Sequence, residues 1–253
     1  MITQSYTDER ESLISPGNFC GEKRHICDIA VATFSNEILE AVLERYPHQE
    51  VAQIGSANGR KPVYRVSIQD REIIFYLSSI GSAIAGNDII EVQWQTGVSS
   101  LVIFGSAGSL DSEATTGKYV IPSSAVRDEG MSYHYAPPAD YIEIKNHQRV
   151  ASVFEKHRLP YVTGRVWTTD APYRETCSAV EKRKSEGCVA VEMEAAGLQA
   201  VCDFYGIELY CFLVTGDTLD GEEYDPSGLG SANHSLDKFW SALKIVEEIG
   251  GII

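Results

Sequence analysis

The stretch Cys188-Val-Ala-Val-Glu-Met-Glu-Ala-Ala-Gly-Leu-Gln-Ala-Val-Cys202 joins a short apolar run to a helical one, with two carboxylates and a methionine at the joint. Residues 188–191 read as a buried strand, and residues 195–205 carry apolar side chains at helical spacing up to a Gly206 stop. Glu192, Met193 and Glu194 therefore fall at the carboxyl end of a strand, where open α/β sheets bind ligands. A carboxylate there accepts hydrogen bonds from the vicinal hydroxyls of a sugar. It equally suits the positive N-terminus of the following helix, and the stretch alone leaves both roles open.

Outward from this joint the same alternation recurs. Residues 26–34, 100–104, 118–122, 161–168 and 207–214 read as strands, and residues 36–46, 148–156 and 236–249 as helices, with Ser35 capping the first. Residues 63–68 and 72–78 form a hairpin about Gln69-Asp70. A small-residue turn from Ser79 to Gly86 opens a helix that Gly97 ends, and the last helix has Leu236, Phe239, Trp240, Leu243 and Val246 on one face. The order predicts an α/β protein, a single-domain three-layer α/β/α fold with a mixed, largely parallel central sheet. Residues 1–24, polar and containing Pro16-Gly17, are expected to form an N-terminal arm, and residues 25–253 the domain.

Charge narrows the partners. The net charge of −15, from 36 acidic and 21 basic residues, argues against nucleic acid or an anionic membrane, both of which need basic patches. The six cysteines (Cys20, Cys27, Cys177, Cys188, Cys202, Cys211) form no C-x-x-C pair and read as small core residues of a reducing compartment, not as a metal site or disulfides. A polar N-terminus and the lack of a long apolar run predict a soluble, cytoplasmic protein.

Further ligand-binding candidates sit where strands end. Gly105-Ser-Ala-Gly-Ser109 follows a buried strand, so a ligand can approach its backbone closely, and Ser106 offers a hydroxyl. It is neither a Walker loop nor a dinucleotide fingerprint. The loop 169–175 presents Tyr173 and Arg174 over a pocket, Asp217 ends another strand, residues 125–138 make a polar and aromatic excursion, and residues 220–231 read as a polar lid.

Four of these motifs, Gly105-Ser-Ala-Gly108, Ala125-Val-Arg-Asp-Glu-Gly130 with Ser132 and His134, Val191-Glu-Met-Glu-Ala195, and Gly216-Asp217, occur in one order. In this the chain resembles the nucleoside phosphorylase family, which includes uridine phosphorylase, hexameric purine nucleoside phosphorylase and methylthioadenosine nucleosidase. The uridine-phosphorylase-like members look nearest. The resemblance implies that Glu194 holds the ribose hydroxyls, Met193 packs on the sugar, and Glu192, Ser106 and Gly108 belong to the substrate site. It further implies that Asp217 protonates the leaving base, with Tyr173 and Arg174 in the loop over it. The implied reaction cleaves a uridine or purine nucleoside with inorganic phosphate as co-substrate and no cofactor, in a homodimer or a hexamer of dimers.

Departures from the family pattern bear on the nucleophile. After the first strand the family's phosphorylases carry a Gly-Asp-Pro-x-Arg loop, where this chain reads Ala32-Thr-Phe-Ser-Asn36, and Ile103 replaces a second arginine. Arg60 is the candidate for the phosphate-binding arginine that the family lends across a subunit interface. The hydrolytic members instead activate water with a glutamate early in the first helix, and Glu37 falls there. Phosphorolysis is the leading expectation, with hydrolysis and a catalytically silent nucleoside-binding protein as alternatives.

Overall fold

A computed structural model describes residues 1–221 and 223–250; Glu222, within the expected lid, and residues 251–253, at the domain's end, lie outside the described residues. The chain begins with the short helix α1 (Gly17–Cys20) and then enters strand β1 (Ile29–Thr33), an apolar run paired in parallel on both sides. The strand starts three residues later than its apolar pattern suggests, because the Ile26 and Cys27 N–H groups bond instead to the Thr96 carbonyl. Helix α2 (Asn36–Arg45) starts where the Ser35 side chain accepts the Ile38 N–H at 3.2 Å, and it buries Ile38, Leu39 and Val42. Strand β2 (His48–Ser56) is not evident from the sequence, since His48, Gln49, Glu50 and Gln53 break the apolar alternation. It is an edge strand, where polar residues are tolerated and protective, and it pairs antiparallel with β3 (Gly59–Ile68). Strand β4 (Arg71–Leu77) completes the meander.

Helix α3 (Ser82–Thr96) stops at Gly97, whose φ of 78° is the left-handed cap. Strand β5 (Ser100–Ser109) runs through the whole glycine-rich segment, which is extended backbone and no loop. After α4 (Ser112–Thr115), strand β6 (Tyr119–Asp128) absorbs the first part of the expected excursion, α5 (Ser132–Tyr135) follows, and β7 (Tyr141–Glu143) pairs back on β6. The chain continues through α6 (His147–Lys156), β8 (Tyr161–Thr169), α7 (Cys177–Ser185) and β9 (Cys188–Glu192). It closes with α8 (Ala195–Tyr205), β10 (Glu208–Thr218), α9 (Leu229–His234) and α10 (Asp237–Ile249).

All ten strands belong to one mixed sheet. Parallel ladders run through β4, β1, β5 and β10 and through β6, β8 and β9. Antiparallel contacts join β9 to β5 and β10 to β6, so these five strands close into a ring. Alternation along β5 sends Leu101 and Ile103 to the face covered by α3 and α8, and Val102 and Phe104 to the face covered by α2, α6 and α10. The result is three layers, α/β/α, each helix losing apolar surface worth roughly 1.5–3 kcal/mol per buried large side chain.

Of the last helix's face read from sequence, Phe239 and Val246 are buried and Trp240 and Leu243 pack against the same core. Leu236 precedes the first turn and is 36% exposed, while Phe239, Ala242, Ile245 and Val246 form the buried stripe, together with Lys238. The arm is folded onto the body. Arg10 donates to the Phe204 carbonyl at 2.5 Å and lies over that residue's ring, and the Trp94 indole donates to the Gly21 carbonyl at 2.8 Å.

Candidate active site

A cavity of about 810 Å³ opens at the carboxyl ends of β1, β5, β9 and β10, a volume suited to a small organic ligand. Its first wall is the joint between β9 and α8. Glu192 accepts the Glu194 and Ala195 N–H groups, each at 2.7 Å, and the Thr168 hydroxyl. It is Glu192, therefore, that satisfies the helix N-terminus, while Glu194 makes no capping bond and accepts instead the Gly81 N–H at 2.6 Å. Gly81 has a φ of 91°, a left-handed conformation that a side chain would strain, and it aims that N–H at the site. Both the N–H and the hydroxyl of Ser82 hold the Met193 carbonyl, at 2.9 and 2.8 Å, which fixes the methionine between the two carboxylates.

Behind this wall Glu129 bonds to Ser132 and faces Glu192. Burial raises the pKa of all three carboxyls, and among the described residues no lysine or arginine forms an ion pair with any of them. Burial is the main cause for each; for Glu194 the Glu192 charge adds to it, and the N–H donors on both carboxyls pull the other way.

Asp217 forms the far wall. A register break between Thr215 and Asp217 turns its side chain toward β5, opposite Gly108. A Cβ at Gly108 would lie 2.5 Å from the Leu219 side chain, 3.0 Å from Val191 and 3.4 Å from the Asp217 carboxylate, so a side chain there would displace Leu219. Burial raises the Asp217 pKa, and a hydrogen bond from Tyr224 partly offsets it. Beside it, Glu175 is pushed up to about 7 by burial and then by the Asp217 charge.

The third wall comes from the end of α9. The Ser106 hydroxyl donates to the Asn233 side-chain oxygen. Lys238, 2% exposed, donates to the carbonyls of Ala232 and, at 3.2 Å, Asn233, and burial lowers its pKa to about 8. His234 Nδ1 lies 2.8 Å from the Ser35 hydroxyl, and its Nε2 lies 3.6 Å from Glu37 Oε1.

Of the candidates read from sequence, Ser106, Gly108, Tyr173, Glu192, Met193, Glu194 and Asp217 line one cavity. Glu37 stands at its edge, connected through His234. Arg60, exposed at the tip of the β2–β3 hairpin, and Arg174, exposed beside Tyr173, are not part of the wall within one chain. His134 is exposed on α5 and also apart from it. Sequence reasoning missed Glu175, Asn233, His234 and Lys238. Glu175 ends a loop already singled out, whereas Lys238 lies inside an amphipathic helix where a lysine reads as solvent-facing.

Buried carboxyls at the β9–α8 joint, with Asp217 and Glu175 across the cavity, make a small-molecule site at the strand ends of an α/β protein. The chain belongs to the Phosphorylase superfamily, whose model matches residues 28–240. That bears out the family resemblance read from the four motifs. A purine nucleoside phosphorylase of DeoD type from Exiguobacterium sp. is 31% identical over 136 residues, 50% of this chain and 55% of the relative. The match spans about half the length of the curated relatives. Among solved structures, futalosine hydrolase of Helicobacter pylori superposes with a TM-score of 0.70 at 19% identity, covering 88% of this chain and 98% of that one. AMP nucleosidase from Bacteroides thetaiotaomicron gives 0.67 at 21%, covering 88% and 90%. These likenesses establish the fold. Among the described residues, no helix is long and apolar enough to cross a membrane.

Proposed function

We propose that this protein is a nucleosidase that hydrolyses the N-ribosidic bond of a purine nucleoside. One observation carries the choice of water over phosphate. The cavity wall holds five carboxyls, Glu175, Glu192, Glu194, Asp217 and Glu223, and among the described residues it holds no arginine. Its lysine spends its ammonium on backbone carbonyls. A phosphate dianion needs clustered arginines or free backbone donors, and among the described residues this wall offers it no arginine.

The chemistry follows from the walls. As the bond from C1′ to the base breaks, its electron pair leaves with the base and positive charge grows on the ribose. The Glu192–Glu194 pair faces that charge, and its hydrogen bonds to the ribose hydroxyls strengthen as the charge develops. Asp217, whose pKa burial raises, gives a proton to the purine ring edge, and water supplies the hydroxyl at C1′.

Phosphorolysis is the second reading, favoured by the likeness to DeoD-type relatives and by Arg60, which an adjoining subunit would have to supply. It led on sequence alone, and the composition of the wall reverses the order. Neither reading uses a cofactor. Assembly into at least a dimer stays part of both, since Ile80 lines the cavity yet is 64% exposed, as a rim completed by a second copy would be. A fully active monomer in sedimentation at micromolar concentration contradicts it.

The test is a nucleoside panel assayed for free base. Release from inosine or adenosine, without phosphate, is expected; release from uridine alone removes the purine assignment, and no release from any leaves a binding protein.

A further inference from the structure

The end of α9 reaches back to the start of α2 through contacts that the family resemblance does not account for. Ser35 is buried, and its oxygen already accepts the Ile38 N–H. Its own proton needs an acceptor, and His234 Nδ1 is in place at 2.8 Å. With Ser35 as the donor, the imidazole carries its proton on Nε2, the nitrogen that faces Glu37 Oε1 across 3.6 Å. Glu37 itself is 70% exposed in a first helical turn, and among the described residues His234 is the one ion-pair partner of its carboxylate. The neighbouring Asn233 meanwhile ties the same short helix to Ser106, and Lys238 clamps its last carbonyls. One end of α9 thus spans from β5 to α2.

We infer that His234 is a positioning residue that holds Glu37 as the base for the attacking water. Ser35 orients the ring, the ring's Nε2–H orients the carboxylate, and Glu37 takes one proton from water as the oxygen bonds to C1′. The atoms balance: the C1′–O bond forms, the C1′–N bond breaks, water's proton goes to Glu37, and the base receives the Asp217 proton. Solvent then returns the Glu37 proton and recharges Asp217.

The inference rests on the hydrolytic reading, and the experiment separates the two. A double-mutant cycle between Glu37→Gln and His234→Ala is measured as kcat and KM for base release, with melting temperatures as a check on folding. Because His234 acts through Glu37, His234→Ala is expected to lower kcat at least tenfold with KM within about twofold, and to cost nothing further in the Glu37→Gln background. His234→Gln, which keeps an N–H at the Nε2 position, is expected to restore at least a third of the wild-type kcat. Equal losses in both backgrounds, an unchanged kcat in His234→Ala, or a His234→Gln as impaired as the alanine variant overturns the inference. If His234→Ala does not fold, His234→Gln alone decides, in the same two backgrounds. Wild-type turnover that depends on phosphate and yields ribose-1-phosphate overturns the hydrolytic reading itself, whatever the cycle shows.

Discussion

The β9–α8 joint and the end of α9 are built on opposite plans. At the joint, the groups are held mainly by backbone N–H donors, those of Glu194 and Ala195 on Glu192, of Gly81 on Glu194 and of Ser82 on Met193, with the Thr168 and Ser82 hydroxyls added. At α9, side chains more than 100 residues apart in sequence meet, Ser106 with Asn233 and Ser35 with His234. On the proposed reading, the first plan makes a wall that recognises the ribose, and the second a wall whose residues decide what attacks it and that can change without disturbing the first.

If that division holds, damage to the joint should be the more severe. Glu194→Ala is expected to lose roughly 3 kcal/mol of transition-state stabilisation in kcat/KM while its melting curve stays cooperative. Near-normal turnover in a folded variant would remove the ribose assignment. The next largest effect is expected at Asp217, where Asn can no longer give a proton to the base. Purine turnover should fall about a hundredfold, with much less change for any uridine turnover, and the wild type should lose purine activity as rising pH ionises Asp217. An Asp217→Asn rate that is equally low for both bases would point to a collapsed wall in place of a lost acid.

The smallest effect concerns Glu175, which no part of the ribose wall touches. Its folded pKa of about 7 lies above the ordinary carboxylate value of 4.5, so the protonated form is favoured on folding. Its stabilising contribution is complete below the ordinary value and is lost as pH rises through about 7. Glu175→Gln should therefore gain melting temperature relative to wild type as pH climbs through that window, and no further above it. A constant difference across pH would show that Glu175 ionises freely in the folded protein.

The same contrast explains what the sequence revealed. The joint was legible because strand, carboxylates and helix follow one another, and Gly105-Ser-Ala-Gly108 marked a segment that does line the cavity. The layer order was legible from alternating apolar periods. Strand β2 was not, because an edge strand need not alternate, and the role of Glu192 at the helix start was not, because two glutamates two residues apart read alike. Asn233, His234 and Lys238 stayed hidden because their partners lie on distant strands and helices, a matter of tertiary packing that no local period encodes.

The central claim, water as the nucleophile, is tested most directly by the sugar product. Proton and phosphorus NMR of a reaction with inosine or adenosine, run with and without millimolar phosphate, identifies that product as it forms. Free ribose appearing at a rate unchanged by phosphate is the predicted result. Ribose-1-phosphate, formed at a rate that rises with phosphate from near zero, would contradict it.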